Sequence, residues 1–221
     1  MPRPSDALLA AAVRRALRLP GRAGITERDL LHATDGRAVE RLVVAGRPVV
    51  VKWRDDRPQD REALLYRHLH PQVLALLGAA RPLGARRLGN THVLLLEWIE
   101  GTDADWTVAR DVRLAFTHLG RVHRATAARL ARGPDAIGTP EAWAELRPDP
   151  REAAGPLVLD PGDLHAGNFR LRPGGGVCLL DFENMRLRPA EAALRPLRED
   201  ASMPQGPLAD LARAAYHQAG P

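Results

Sequence analysis

The stretch Leu157 to Glu183, L-V-L-D-P-G-D-L-H-A-G-N-F-R-L-R-P-G-G-G-V-C-L-L-D-F-E, constrains this chain more than any other. Phe169 to Arg172 alternates apolar and basic residues, Pro173-Gly174-Gly175-Gly176 is a turn signal, and Val177-Cys178-Leu179-Leu180 is a short apolar run. Together they predict a β-hairpin with a four-residue loop. Counted outward from that loop, Arg172 faces Val177, Leu171 faces Cys178, Arg170 faces Leu179, Phe169 faces Leu180, and Asn168 faces Asp181. Directly paired strand residues have Cα atoms about 4.5–5.5 Å apart, so this register brings an amide oxygen and a carboxylate to one point. Hard oxygen donors in that number suit Mg2+, which keeps several waters and completes its shell with substrate phosphates. Asp163, in the loop entering the hairpin, is a second carboxylate that can address a substrate instead of the metal. Two polar turns around a core hairpin would use the same residue types; the facing of Asn168 and Asp181 favours the metal reading.

At 221 residues the chain can form one sizeable domain or two small lobes, and 45% hydrophobic residues suffice for a core. No apolar run approaches the length of a membrane span. The apolar patch Ala7 to Val13 is cut short by Arg14-Arg15, which suits an amphipathic helix better than a secretory signal. A single cysteine, Cys178, excludes an internal disulfide and falls on the apolar side of the hairpin. These features fit a cytoplasmic protein. The formal charge of +5 raises a nucleic-acid partner, but the arginines are spread along the chain and aromatics are only 4%, so no stacking platform is visible. Of 32 basic residues 31 are arginine, and the one lysine is Lys52. A lone lysine among arginines is either chance, a solvated residue at a strand end, or the mark of a position where a compact ammonium is required, as in a phosphate pocket.

In chain order, Ser5 to Leu19 reads as a helix with Ser5 as N-cap and Pro20-Gly21 as the stop. Leu30 to Lys52 reads as strands, with a hairpin turning at Ala45-Gly46-Arg47-Pro48 and Lys52 ending the returning strand. Asp60 to Leu69 is helical with Leu64, Leu65 and Leu69 inward; Glu62 is the candidate partner for Lys52, with Asp60 as second choice. Arg86 to Leu88 and His92 to Glu97 are strands around Gly89-Asn90. Trp106 to Arg132 forms a long helix that buries Val108, Val112, Ala115, Leu119 and Val122, with His123 as a structural histidine. A short helix is expected at Glu141 to Leu146, and a last one over about Pro207 to His217 with Leu208, Leu211 and Ala215 as its apolar side.

The order Asp163, four residues, Asn168, hairpin, Asp181-Phe182 is that of a kinase catalytic loop and metal site. G-D-L-H-A-G-N and L-D-F-E resemble the aminoglycoside phosphotransferase and choline kinase family more than eukaryotic protein kinases. The resemblance runs from about Leu42 to Glu183. It implies an α+β, protein-kinase-like two-lobed fold: an N-lobe with a small mixed β-sheet over residues 1–98, a hinge at 99–103 and a mostly helical C-lobe over 104–221. It also implies transfer of the γ-phosphate of ATP, or GTP in some relatives, to a small-molecule hydroxyl, such as an aminoglycoside, a sugar or an amino alcohol. Asp163 would orient the acceptor hydroxyl, Asn168 and Asp181 would hold Mg2+, Lys52 would hold the α- and β-phosphates, and Glu62 would hold Lys52. The backbone of Glu97, Trp98 and Ile99 would meet the adenine edge. The phosphate-covering turn would be Thr34-Asp35-Gly36-Arg37, which carries one glycine. His165 would fix the loop.

Three departures stand out. Pro161 precedes Gly162-Asp163 where the family usually has histidine, and proline offers neither a side-chain hydrogen bond nor a backbone N–H. About 40 residues separate His123 from Asp163, and 38 follow Glu183, which trims the acceptor side. An open cleft, a large acceptor or a second subunit would each answer that trimming. Beside the phosphotransferase reading stand a catalytically weak, kinase-like nucleotide-binding or regulatory protein, and a metal-dependent hydrolase using Asp163, His165 and Asp181. Membrane and nucleic-acid partners are not expected.

Overall fold

Alternating apolar residues between 37 and 55 build the first sheet. The computed structural model describes residues 5–19, 24–34, 36–55, 60–148 and 155–221, and the chain divides into two compact units. The first comprises Met1–Ala63 with Ala80–Ile99, and the second Leu64–Ala79 with Glu100–Pro221. The elements begin with α1 (Asp6–Leu17), β1 (Ile25–Thr34), β2 (Arg37–Val44) and β3 (Arg47–Asp55). Two short helices follow, α2 (Arg61–His68) and α3 (Pro71–Leu76), and then β4 (Pro82–Leu88) and β5 (Thr91–Glu97).

In the first unit the strands form one five-stranded sheet in the order β1-β2-β3-β5-β4, antiparallel throughout. The β2–β3 connection is shorter than the sequence suggests. Val44 pairs with Arg47, so the turn is Ala45-Gly46 alone, both at positive φ (53° and 72°). This two-residue form matches the twist of the flanking strands. Strand β3 accordingly runs on to Asp55, and Lys52 sits within the strand instead of ending it. One sheet face is closed by α1. Leu9, Ala12 and Val13 pack with Leu42, Val44, Val49, Val51, Val93 and Leu95. Ser5 caps α1 by accepting from the Leu8 amide, while Pro20, Gly21 and Asp35 lie outside the described residues.

Residues 64–79 group with the second unit for visible reasons. The Tyr66 ring stacks on Phe182 at 5.0 Å, the Leu179 amide donates to Leu77 O at 3.0 Å, and a Cβ on Gly78 would stand 2.3 Å from Val177 O. The remaining elements are β6 (Thr102–Asp103), α4 (Ala109–Leu130), α5 (Pro140–Leu146), β7 (Leu157–Asp160), β8 (Phe169–Leu171), β9 (Val177–Leu179), β10 (Arg186–Pro189), α6 (Ala190–Ala193), α7 (Pro196–Glu199) and α8 (Pro207–Ala219). Helix α4 starts three residues later than its apolar pattern suggests. Asp105 forms a turn with the Thr107 amide and hydroxyl, leaving Val108 as the N-cap and 42% exposed. Beyond it Val112, Ala115, Phe116, Leu119, Val122 and His123 are buried as one face.

Helix α8 does not bury the leucines its sequence nominates. Its inward side is Ala209, Ala212, Ala215, Tyr216 and Ala219, because α4 meets it at Gly120, where a Cβ would lie 2.5 Å from Tyr216 O. A crossing that close admits alanines and excludes leucines. Strand β10 was not legible as a strand: it pairs antiparallel with β7, Arg186 opposite Asp160 and Arg188 opposite Val158.

Candidate functional site

The candidate residues fall into one set in each unit. In the first, Lys52 lies between Val39 of β2 and Leu94 of β5. Strand alternation sends Val49 and Val51 into the core under α1 and Lys52 to the opposite face. There Lys52 Nζ donates to both oxygens of Glu62, at 2.8 and 2.9 Å. Glu62 is 4% exposed. Asp60 does not pair with the lysine; it caps α2 by accepting from the Ala63 amide at 3.2 Å, which sets Glu62 in the first turn, where carboxylates suit the helix dipole. Glu97 closes β5. Its amide donates to Arg81 O at 3.0 Å and its carboxylate accepts from the Arg81 amide at 3.1 Å. The Arg41 guanidinium stands over the Trp98 ring, 5.4 Å from its centre, and Ile99 is buried.

In the second unit β7 delivers the chain into the Asp163 loop. Gly162 has φ +80°, and a Cβ there would stand 2.0 Å from Asn184 O, so only glycine fits. Asp163 Oδ1 accepts from the His165 amide at 3.1 Å. His165 Nδ1 accepts from the Gly167 amide at 3.1 Å, and Asn168 Nδ2 donates to Asp163 O at 3.3 Å. Asp163 is exposed, and the loop is held by its own short-range bonds.

The hairpin register differs from the sequence expectation by one residue. Phe169 pairs with Leu179, Arg170 with Cys178 and Leu171 with Val177. The loop has five residues, Arg172 to Gly176, closed by Arg172 N–H to Gly176 O at 2.7 Å with Gly174 and Gly175 near φ +90°. A one-residue slip exchanges the faces of a strand, and this register places buried Phe169 opposite buried Leu179. Asn168 therefore meets Leu180, whose amide donates to Asn168 O at 2.9 Å, and Asp181 lies one residue further on. Its backbone is left-handed, φ 59° and ψ 84°, at the point where Phe182 turns into the core. The pairing of Asn168 with Asp181 across the ladder is thus corrected to adjacency.

The donor chemistry still fits a hard divalent cation. Asn168 spends its amide nitrogen on the loop, which leaves the side-chain oxygen as the atom to offer, and Asp181 adds a carboxylate; two such donors leave positions for phosphate and water. Among the described residues no group of three or more His, Cys, Asp or Glu is arranged to hold a metal ion, so Asp163, His165 and Asp181 do not make a three-ligand centre.

Of two buried polar residues in this unit, sequence reasoning missed Asp160 and took His123 as structural. Asp160, 1% exposed, ends β7 and is bound by Arg188 Nη1 at 3.1 Å. Burial pushes its carboxyl up to about 6, against the pull of Arg188, the Gly162 amide and Arg186. His123 is fully buried, its Nδ1 2.7 Å from Tyr216 Oη, and burial holds it neutral by lowering its pKa to about 3. The alternation R-L-R opposite V-L-D was the available signal for the first.

No family model and no curated protein sequence matches the chain. Solved structures do match it. A macrolide 2'-phosphotransferase from Brachybacterium faecium aligns with TM-score 0.59 at 15% identity over 98% of this chain and 84% of that one. An aminoglycoside-3'-phosphotransferase of type VIII gives 0.55 at 20% identity over 95% and 91%. This is the aminoglycoside phosphotransferase fold. A spectinomycin phosphotransferase in complex with ADP and spectinomycin shares it as well, with TM-score 0.54 at 10% identity over 97% of this chain and 80% of that one. The phosphotransferase fold thus accounts for nearly the whole chain, and among the described residues no helix is long and apolar enough to cross a membrane.

Proposed function

We propose that this chain is a small-molecule phosphotransferase that moves the γ-phosphate of ATP, or of GTP, to a hydroxyl acceptor with Mg2+ as cofactor. The observation that carries the reading is the chain's one lysine held by both oxygens of a buried glutamate. A strand lysine directed by a helix glutamate is how kinase-like enzymes hold the nucleotide phosphates. Lys52 binds the α- and β-phosphates and Glu62 fixes its direction. Asp163, whose Oδ1 takes the His165 amide, presents Oδ2 to the acceptor hydroxyl and orients it. The side-chain oxygen of Asn168 and the carboxylate of Asp181 hold Mg2+, which when bound neutralises charge on the phosphate oxygens. Backbone groups of Trp98 and Ile99 receive the adenine edge; the Glu97 amide is already used within the sheet. Complexes of structural neighbours with ADP and spectinomycin, and with AMP, support a nucleotide and a small-molecule acceptor. The test is product formation from labelled ATP with aminoglycoside, macrolide, sugar and amino-alcohol acceptors. Asp163→Asn should abolish transfer and leave nucleotide affinity within about twofold; retained turnover in that variant would overturn the role of Asp163.

The second reading, a nucleotide-binding protein with little catalysis, is favoured by Pro161. It predicts Mg2+-dependent nucleotide binding with no phosphorylated product from any acceptor class.

A further inference from the structure

We infer that Asp160, with Arg186 and Arg188, is a positioning cluster that locks the Asp163 loop to the segment carrying Asp181. The inference rests on the phosphotransferase reading for its purpose but not for its geometry. Asp160 is the last residue of β7, three before Asp163, and Arg186 is the first of β10, five after Asp181. These two residues face each other across the ladder, and Arg188 follows two positions along the same strand. One rung therefore joins the end of the strand that leads into one functional segment to the start of the strand that leaves the other. The backbones also touch beyond that rung, where Gly162 leaves no room for a Cβ beside Asn184 O.

The chemistry at the rung is not what strand cohesion alone requires. Asp160 is buried and bonded through Oδ2 to Arg188, while Asp160 Oδ1 and Arg186 Nε are buried without a hydrogen-bond partner among the described residues. Two well-packed apolar side chains would hold β7 to β10 at least as firmly, because desolvating an ion pair costs about as much as its attraction returns. What an ion pair adds is direction. Pro161 contributes no N–H, so the Gly162 amide is the first after the strand, and it pulls the Asp160 carboxyl down against the effect of burial. The groups facing Asp160 are Arg186 and Arg188 of β10 and Tyr216 of α8, whose hydroxyl meets His123 of α4. Thr126 of α4 anchors the strand below by accepting the Leu159 amide at 3.1 Å.

The experiment is hydrogen exchange read by mass spectrometry on the full chain, with Asp160→Asn, Arg188→Met and the conservative Arg188→Lys. Asp160→Asn and Arg188→Met should each speed exchange at least tenfold in residues 162–168 and 182–185 together, with α4 unchanged, and Arg188→Lys should restore most of the protection. ADP titrated with and without Mg2+ gives the functional arm: Asp160→Asn should reduce the Mg2+ enhancement of ADP affinity at least tenfold and leave metal-free affinity unchanged. Uniform acceleration across the second unit, or acceleration of one segment without the other, would overturn the inference. A wild type that binds no nucleotide, with variants that show the paired exchange response, would defeat the phosphotransferase reading and leave the lock standing.

Discussion

Lowering the pH from 7 to 4.5 should expose two buried groups that act in opposite directions. His123 is neutral in the fold, with its pKa lowered from 6.5 to about 3, so over this range the unfolded chain takes up a proton that the native state refuses. The unfolded state then binds more protons, and stability falls as pH falls. From 6.5 to 4.5 the loss is about 3 kcal/mol at 1.36 kcal/mol per pH unit. Asp160 works the other way. Its folded pKa is raised from 3.8 to about 6, so below pH 6 the native state takes the proton first and stability rises as pH falls. From 6 to 4.5 the gain is about 2 kcal/mol. The two nearly offset in the wild type. Replacing either should uncover the other: His123→Asn, which can still meet Tyr216 Oη, should shed about 3 kcal/mol of acid sensitivity, and Asp160→Asn should add about 2. Urea denaturation at pH 7 and pH 4.5 gives the change in unfolding free energy for each protein, and subtracting the wild-type change cancels the remaining titrations. Equal pH responses in all three proteins would refute the account of these groups as buried and separately titrating.

Lys52→Met should leave Glu62 as a buried carboxylate without its lysine and cost about 3–5 kcal/mol, read by chemical denaturation; a cost under about 1 kcal/mol would mean the pair is solvated. Gly120→Ala places a methyl against Tyr216 O and should force α4 and α8 apart, at about 1–3 kcal/mol, seen as a lowered melting temperature. Leu9→Ala removes a fully buried side chain from under the sheet and should cost about 2–5 kcal/mol, again by denaturation. Gly162→Ala adds a clash and a strained φ in the Asp163 loop, so it should abolish phosphate transfer while leaving metal-free nucleotide affinity unchanged.

Local chemistry was the legible part of the sequence. Ser5 as a cap, the strands around Gly89-Asn90 and the pairing of Lys52 with Glu62 all follow from short-range rules, and the structure contains each of them. What the sequence hid depends on partners distant in the chain. The register of the Phe169 hairpin was set by the burial of Phe169 against Leu179, which outweighed the simplest count through the glycines. The inward face of α8 was decided by Gly120, 96 residues before Tyr216, and no periodicity within α8 reveals it. Nothing local to Asp160 in the sequence marks it as buried. Its burial becomes visible only when Arg186 and Arg188 are known to lie on the neighbouring strand.

The central proposal is that nucleotide binding depends on Lys52 and, through Mg2+, on Asp181. Calorimetric titration of ADP with Mg2+ into the wild type, Lys52→Arg and Asp181→Asn tests it most directly. The account predicts binding to the wild type, at least tenfold weaker binding to Lys52→Arg with or without metal, and loss of only the Mg2+-dependent part in Asp181→Asn. Absence of binding at millimolar nucleotide, or binding indifferent to both substitutions, would contradict it.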